Sequence, residues 1–431
     1  MTKSKIGNTD LISEVNSRLI LNAVRLLQPT YRAEVSRKTG LKPATVTSIV
    51  ATLMDKQLLH EIPGVVDQTA RFGRPPLMLA INADAFRVLA IDLEPDKIRV
   101  ALTDMLARPI VFNQQAIDRF DTPENILRQV VSLARAAIQR VPRKLLLGVG
   151  VSLPGLIDRN DRVLLSSTNM PQWKNVPVGA ILERELGIPV RIDRSLHLAA
   201  MHEKWQEPNI QDKNVLVISL RTGVGGCLIS RGQLYTGSGG MAGEIGHTVV
   251  DIRGNPCECG SRGCLETFVS APAIIERAKS IIAAGAAPAL AQAVANGRTL
   301  HPELIYELAA RGDAPSGEIV REVGTYLGIA ISNLINLLAP DEIVICGAID
   351  IAEDLLLSAI RARVKLSALP RLLGATLIRT ATERERLPLL GAAVLIVQDL
   401  FELPQLKHAA VSSLDALARD ARRTPGATTP A

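Results

Sequence analysis

The sequence is poor in aromatic residues, which make up only 3% of its 431 positions. Its cores must therefore be built from Leu, Ile, Val and Ala. It also lacks any run of the roughly 18 to 20 apolar residues that a helix needs to cross a bilayer. The best candidate, YLGIAISNLINLLA, is too short and carries two asparagines. The first ten residues, MTKSKIGNTD, contain no apolar segment of the kind that a secretory signal requires. These absences predict a cytoplasmic protein without membrane insertion.

Cysteine is also scarce. There are five cysteines, an odd number, and Cys227 and Cys346 stand far from the other three. This count and spacing fit a reducing compartment better than a disulfide framework.

Length and charge divide the chain. A sequence of 431 residues exceeds a single core and should form two or three domains. The whole chain has a net charge of +6, and residues 1–82 hold eleven Lys and Arg against six Asp and Glu, a net of +5. The excess of basic residues therefore lies in the first fifth of the sequence, which indicates a polyanion as the partner of that part alone.

The first eighty residues have the pattern of three short helices. Pro29 and Thr30 end the first helix, and the second runs from about Arg32 to Thr39. Gly40 supplies the positive-φ residue of a tight turn, and Pro43 suits the first turn of a third helix. The apolar stripe of the third helix consists of Val46, Ile49, Val50 and Leu53.

This order predicts a helix-turn-helix whose third helix enters a major groove of DNA. Two strands, from Leu58 to Ile62 and from Leu77 to Ile81, would form a wing, and Arg74 between them would enter a narrow minor groove. The alternatives are a packed trio of helices without a role in DNA binding and, for Arg74, an exposed loop. The outward residues that would contact DNA on the third helix are Lys42, Pro43, Thr45, Thr47 and Ser48.

After Asn82 the sequence alternates between strands and helices. VLAIDLEPDKIRVALTD, from Val88, and VLVISLRTGVGGCLISRG, from Val215, each read as an apolar strand, a polar turn and a second apolar strand. Helical segments follow both copies. The repeat predicts two related α/β lobes that face each other across a cleft, although many α/β proteins contain such hairpins by coincidence.

A histidine and three cysteines lie close together in GEIGHTVVDIRGNPCECGSRGCLE. His247, Cys257, Cys259 and Cys264 offer one imidazole and three thiolates, which is a full tetrahedral set for Zn²⁺. A closed Cys₃His shell leaves no position for water, so the zinc would be structural. The competing interpretation is a pair of redox thiols or a buried disulfide.

These residues resemble the signature of the ROK family (repressors, open reading frames, kinases). GEIGH is followed by CxCGxxGCxE, and SLPG at 152–155 and TGVGG at 222–226 resemble other landmarks of that family. The likeness spans residues 15 to about 400. It implies two actin-like, ribonuclease H-like α/β lobes with a structural zinc loop, and with the winged helix-turn-helix in front it implies a sugar-responsive repressor.

The charge distribution, the repeat and the resemblance together predict the division of the chain into domains. Residues 1–82 would form the winged helix-turn-helix, and residues 83–200, with a returning segment at about 385–405, would form the first lobe. Residues 201–384 would form the second lobe, with the zinc site and the oligomerisation surface, and residues 406–431 a disordered tail.

The resemblance also implies which residues a family kinase would need. Two of these are replaced here, so no catalytic residue is predicted. Family kinases cradle ATP phosphates on a Gly-Gly-Thr turn, but here the turn is Leu93–Lys97, with a proline and two carboxylates. The position of their catalytic Asp, eight residues before Glu203, is occupied by Ser195, which is no base at neutral pH without activation. The second phosphate turn is kept at 222–226, with Arg221 where kinases usually have glycine.

The sugar pocket is less altered. The family positions that bind sugar hydroxyls correspond to Glu244, His247 and Glu266, although the two carboxylates would serve equally as support for the zinc loop. Gly155, Arg194 and Ser195 are expected to line the same pocket, and Arg194 would either bind a sugar phosphate or close the pocket with a salt bridge.

The resulting prediction is a homodimeric or homotetrameric repressor of carbohydrate genes that binds a double-stranded DNA operator. A sugar or sugar-phosphate inducer would occupy the cleft between the lobes. Two alternatives stay open: control by a protein partner such as a sugar transporter subunit, and an ATP-dependent sugar kinase with an appended DNA-binding domain.

Overall fold

The computed structural model describes residues 9–64, 77–139, 141–207, 213–347, 350–381 and 386–402. Arg74 and the predicted tail at 406–431 lie outside these residues.

The chain begins with a small helical unit. A two-stranded antiparallel sheet closes it, with Leu59 opposite Ile81 and Pro63 opposite Leu77. The second strand lies where the sequence predicts it, and the first is displaced by one residue. The elements of this N-terminal unit are α1 (Thr9–Leu27), α2 (Arg32–Thr39), α3 (Pro43–Asp55), β1 (Leu59–Pro63) and β2 (Leu77–Ile81).

Local sequence signals explain the turn of this unit. Gly40 ends α2 with φ of 71°, a conformation that costs glycine nothing, and its N–H donates to the carbonyl of Ser36 at 2.9 Å. Pro43 occupies the first turn of α3. Val46 and Val50 are fully buried, whereas Ile49 is only half-buried. The predicted apolar stripe of α3 is thus buried except at one margin.

Two five-stranded sheets follow, and their topologies are equivalent. Across the first sheet the order is β10 (Val190–Arg194), β6 (Leu146–Leu153), β3 (Arg87–Leu93), β4 (Lys97–Thr103) and β5 (Pro109–Ala116). Across the second it is β15 (Leu377–Thr380), β14 (Glu342–Gly347), β11 (Asn214–Leu220), β12 (Val224–Ser230) and β13 (Gln233–Tyr235). In both, the first three strands are parallel and the last two join as antiparallel neighbours. The two copies that begin at Val88 and Val215 form the third and fourth strands of each sheet, so the sequence repeat corresponds to a structural one.

The first lobe contains β3 (Arg87–Leu93), β4 (Lys97–Thr103), β5 (Pro109–Ala116), α4 (Pro123–Ile138), β6 (Leu146–Leu153), β7 (Leu156–Asp158), β8 (Val163–Ser166), β9 (Lys174–Val176), α5 (Val178–Leu186) and β10 (Val190–Arg194). Helix α6 (Ser195–Gln206) comes next. The second lobe contains β11 (Asn214–Leu220), β12 (Val224–Ser230), β13 (Gln233–Tyr235), α7 (Glu266–Val269), α8 (Ala271–Ala283), α9 (Pro288–Ala295), α10 (Pro302–Ala310), α11 (Ala314–Leu338), β14 (Glu342–Gly347), α12 (Glu353–Ser367), α13 (Pro370–Leu373) and β15 (Leu377–Thr380). Helix α14 (Leu387–Phe401) is the last described element.

Helices α6 and α14 form the layer between the two sheets. Ala199 and Ala200 of α6 pack on the second sheet, whereas Leu198 and Met201 pack with α14 and the first sheet. The domain boundary expected at residue 200 falls inside α6, because this helix contributes to both lobes. The expected boundaries stay predictions.

The core of the N-terminal unit is continuous with this central layer. The Arg25 guanidinium lies 3.9 Å from the centre of the Trp205 ring and donates to the Trp205 carbonyl at 2.7 Å. The Trp205 indole donates in turn to the Leu106 carbonyl at 3.2 Å. Burial lowers the pKa of Arg25 to about 10, so the side chain keeps its charge at neutral pH. The end of α6 is therefore joined directly to α1.

Among the helices that the structure describes, none taken singly is long and apolar enough to span a membrane. Only α8 and α9 taken together meet the length and composition required, and they are bent by 101°.

The contact between α6 and α14 depends on a glycine. A Cβ added to Gly391 would lie 1.9 Å from the Leu198 carbonyl oxygen, which is backbone and cannot move aside cheaply. We predict that Gly391→Ala lowers the free energy of unfolding by about 1–3 kcal/mol, the usual effect of overpacking. Urea denaturation measures it. Gly374→Ala is the matched control, because its nearest neighbour would be 3.6 Å away; equal stability of the two variants would contradict this packing.

Candidate functional site

The histidine and the three cysteines of the predicted metal site come together in the second lobe. Their ligand atoms all lie within 4.8 Å of one another. His247 Nδ1 is 3.6 Å from Cys257 Sγ, and Cys259 Sγ is 3.7 Å from Cys264 Sγ. All five cysteines of the chain are free thiols, so the alternative of a buried disulfide is not observed.

Tight backbone turns produce this cluster. The Cys257 N–H donates to the Ser261 carbonyl at 2.9 Å, and the Gly263 N–H donates to the Asn255 carbonyl at 2.8 Å. Gly263 has φ of 72°, and a Cβ there would lie 1.6 Å from the Asp251 carbonyl oxygen. Only glycine fits at this position, and it allows the loop to fold back and bring Cys264 beside Cys259.

The four side chains fit a tetrahedral zinc ion. With Zn–S distances of about 2.3 Å and a Zn–N distance of about 2.0–2.1 Å, the tetrahedron has S···S edges of about 3.8 Å and S···N edges of about 3.6 Å. The distances between the pairs Cys259–Cys264 and Cys257–His247 agree with these edges. The pKa of Cys259 is lowered to about 7 by a backbone hydrogen bond at Ser261, whereas burial raises that of Cys257 to about 11. A bound cation would be needed to hold Cys257 as a thiolate at neutral pH.

The two carboxylates beside the cluster have different partners. Glu266 begins α7, and its Oε2 accepts a hydrogen bond from the Val224 N–H at 2.9 Å. Glu266 is thereby tied to the second phosphate turn. Glu244 instead forms an ion pair with Arg194, whose guanidinium also donates to the Gly240 carbonyl at 3.0 Å. The predicted salt bridge of Arg194 is thus present, whereas both of its predicted roles, binding a sugar phosphate and closing the pocket, stay predictions.

Ser195 is the first residue of α6 and directly follows β10 of the first lobe. The Ser152 hydroxyl is 3.0 Å from Ser195 Oγ and donates to Asp92 Oδ1 at 2.6 Å. Ser152 and Asp92 are fully buried. The hydroxyl of Ser195 therefore faces another hydroxyl, and no imidazole or carboxylate contacts it in the hydrogen bonds found among the described residues.

Asp193 lies two residues before Ser195 and is held by several polar groups. Its Oδ1 accepts from Arg159 Nε at 2.9 Å and from the Arg194 N–H at 2.7 Å, and it lies 3.1 Å from His197 Nδ1. Burial alone would raise the pKa of Asp193, but the hydrogen bond from His197 and the charges of His197 and Arg159 hold it below its ordinary value. A carboxylate stabilised in this way is a poor proton acceptor.

Gly155 has a structural reason to be glycine. Its φ is 115°, and a Cβ would lie 2.2 Å from the Ser166 carbonyl oxygen. The residue lets the backbone between β6 and β7 approach β8, and a contact with a ligand stays a prediction.

Ion pairs occupy the turn Leu93–Lys97, which corresponds to the turn that cradles ATP phosphates in the family kinases. Glu94 forms ion pairs with Arg99 of the same lobe and with Arg221 of the other lobe. The sequence did not indicate this network, because Glu94 and Arg221 are 127 positions apart. It also assigned no role to Asp92, Ser152 and Arg159, although Ser152 begins the SLPG landmark. Asp92 and Ser152 lie near the carboxyl ends of the parallel strands β3 and β6, so the sheet order could have indicated these two, since such ends meet at one edge.

In the N-terminal unit, the residues predicted to contact DNA lie on one end of α3. Lys42, Pro43, Thr47 and Ser48 are exposed, and Thr45 is half-buried. The Thr47 hydroxyl donates to the Pro43 carbonyl at 2.9 Å, so it would have to rotate to reach a base.

The equivalent sheets, the helical unit in front and the cluster of thiols and imidazole define a two-lobed α/β protein with a candidate metal site. Residues 88–399 match the ROK family, and the chain belongs to that family.

Its relatives include regulators and kinases. The xylose repressor of Caldicellulosiruptor bescii is 26% identical over 403 residues, which are 93% of this chain and 100% of that protein. A glucokinase of Halalkalibacterium halodurans is 36% identical over 254 residues, which are 59% of this chain and 77% of the kinase. The crystal structure of a ROK family transcriptional regulator, a homologue of the Escherichia coli Mlc protein, has a TM-score of 0.74 at 25% identity and covers 95% of this chain and 100% of its own. The similarity to the regulators includes the N-terminal unit, whereas the match to the kinase spans a smaller part of the chain.

The metal site gives a direct prediction. The purified protein should contain about one zinc ion per chain by elemental analysis, and Cys259→Ser and Cys264→Ser should each lose most of it, because a thiolate ligand is removed. Cys227→Ser is the control, since this buried cysteine lies on β12 outside the cluster and its loss should leave the metal content unchanged. A metal-free wild-type protein, or equal metal loss in the control, would refute the site.

Proposed function

We propose that this protein is a sugar-responsive transcriptional repressor. Its N-terminal unit is a winged helix-turn-helix that binds a double-stranded DNA operator, the cleft between the lobes binds the inducer, and the thiol cluster holds a structural zinc ion. The observation that carries the proposal is the exposed end of α3, and the regulators that cover nearly the whole chain support it.

The α3 surface has the features of a recognition helix. Lys42 supplies a cation for a phosphate, and Thr47 and Ser48 supply short polar side chains at the start of the helix, where such residues contact base edges. The tight turn at Gly40 holds α2 behind α3. Two copies of the unit in a homodimer would place their α3 helices about 34–36 Å apart on a pseudo-palindromic site.

The cleft supports a binding role over catalysis. A kinase needs a phosphate turn and a base, but here Glu94 and its partners Arg99 and Arg221 occupy the turn, and Ser195 is no base without activation. The glucokinase relative makes kinase activity the second candidate. The groups proposed to bind the hydroxyls of a sugar are the side chains of Glu244, His247 and Glu266, together with Ser195 and Arg194. Control by a transporter subunit remains an alternative source of the signal.

The DNA-binding role is tested with the full-length chain. Selection from a library of random DNA duplexes should enrich a pseudo-palindromic sequence with half-sites about 10 base pairs apart. The variant Thr47→Ala/Ser48→Ala should bind that sequence at least about tenfold more weakly, because two polar contacts are lost. Thr52→Ala is the control, because its exposed side chain lies farther along α3. Failure to enrich any sequence would count against the proposal.

The absence of catalysis is tested separately. We expect no sugar-dependent hydrolysis or transfer of phosphate when the wild-type protein is incubated with ATP and a panel of aldoses, amino sugars and ketoses. Ser195→Asp should also be inactive, since it restores a carboxylate but leaves Glu94 and Arg221 in the phosphate turn. Phosphorylated sugar from the wild-type protein would make it a kinase, and activity of Ser195→Asp alone would show that the turn is competent.

A further inference from the structure

Four ionisable side chains meet where a turn of the first lobe faces a turn of the second. Glu94 lies between β3 and β4 and pairs with Arg221, which lies between β11 and β12. It also pairs with Arg99, whose Nη2 is 3.3 Å from Asp92 Oδ2. The exposed fractions of the side chains are 0% for Asp92, 2% for Arg99, 12% for Glu94 and 17% for Arg221. We call these four residues the clamp.

The clamp is balanced in charge and mostly buried, although Glu94, Arg99 and Arg221 line a pocket at this point. Two carboxylates neutralise two guanidinium groups, so no buried charge is left without a partner. Separating the lobes at this point would break the pair of Arg221 and Glu94, which water and salt screen less than they screen an exposed pair. The turn of Arg221 is also fixed by its own backbone, since its N–H donates to the Gly223 carbonyl at 3.0 Å and its carbonyl accepts from Ala271 at 3.2 Å.

A second charge pair crosses between the lobes on the sugar side of the cleft. Arg194, at the end of β10, pairs with Glu244 of the second lobe. The side chain of Glu244 is 50% exposed, more than any member of the clamp, whereas Arg194 is 16% exposed, about as much as Arg221. Water and salt therefore reach this pair, and a pair of this kind is worth little in free energy. We call Arg194 and Glu244 the latch.

We propose that the clamp keeps the phosphate side of the cleft closed and that only the latch opens when an inducer enters. The inference rests on the proposed function for its inducer, but the difference between clamp and latch belongs to the ligand-free protein. A sugar whose hydroxyls bond to Glu244 must first take this carboxylate from Arg194. Ligand entry thus breaks the latch, and the lobes pivot about the clamp.

The latch is well placed to signal to the N-terminal unit. Arg194 immediately precedes α6, and Trp205 near the other end of α6 contacts Arg25 of α1. Twelve helical residues span about 18 Å, at 1.5 Å per residue. A tilt of α6 caused by opening of the latch therefore reaches the surface on which α1 rests.

Hydrogen–deuterium exchange of the full-length, ligand-free protein tests the proposal. The reporter of the latch is the segment 236–247, where the Ala242 N–H donates to the Thr236 carbonyl at 3.0 Å; the reporter of the clamp is the segment 93–99, where the Glu94 N–H donates to the Lys97 carbonyl at 2.9 Å. We expect Arg194→Gln to speed exchange at least about tenfold in the first segment and to leave the second unchanged.

The double variant Glu94→Gln/Arg221→Gln should instead speed exchange in the clamp segment by a similar factor. It removes one charge of each sign and leaves Arg99 paired with Asp92. The control is Arg277→Gln, which breaks an exposed pair with Glu322 within the second lobe (3.0 Å) and should change neither segment. Equal acceleration of both segments in Arg194→Gln, or none in the latch segment, would overturn the proposal.

Salt gives a test that needs no variant. Raising NaCl from about 0.05 M to 1 M shortens the screening length from more than 10 Å to about 3 Å, so exchange should accelerate in the latch segment and not in the clamp segment. Acceleration in the clamp segment alone would contradict the assignment. Binding of the selected DNA duplex is measured in parallel, because its absence would refute the repressor function while leaving the exchange result intact.

Discussion

The packing of α6 against α14 is the contact on which the rest of the structure depends. It brings the backbone of Leu198 to the point where a side chain on Gly391 would fit only by displacing it. Because both helices lie between the two sheets, this contact sets the distance between the lobes. It also fixes the direction of α6, which begins in the cleft at Ser195 and ends beneath α1 at Trp205. The cleft and the N-terminal unit are thus two ends of one rigid element.

The relatives of this chain include both regulators and kinases, and a few side chains in the cleft bear on which of the two it resembles in function. Glu94 and Arg221 put protein charges at the turn where ATP phosphates would be held, and Ser195 takes the position of the base. The thiol cluster and the two carboxylates beside it belong to the second lobe and lie outside both of these positions. Under the proposed function, a cleft with groups for sugar hydroxyls but without those for phosphate transfer would sense a ligand rather than convert it.

Much of this arrangement could be predicted from the sequence, because the signals are local. The turn at Gly40, the helix start at Pro43 and the spacing from Cys257 to Cys264 each depend on a few neighbouring residues. The two-lobe plan was visible as a repeat. The pairs between distant positions were not, since nothing in the sequence indicates that Arg25 meets Trp205 or that Glu94 meets Arg221. Arg194 is another example, since the sequence allows a salt bridge at this residue but does not indicate that Glu244 is its partner.

We propose that an inducer bound in the cleft changes the affinity of the N-terminal unit for DNA. The most direct measurement is the equilibrium affinity of the full-length chain for its selected duplex, with and without a sugar shown by calorimetry to bind the protein. We expect the bound sugar to weaken DNA binding by about 5- to 150-fold, the usual range of allosteric coupling. An unchanged DNA affinity at saturating sugar would contradict it.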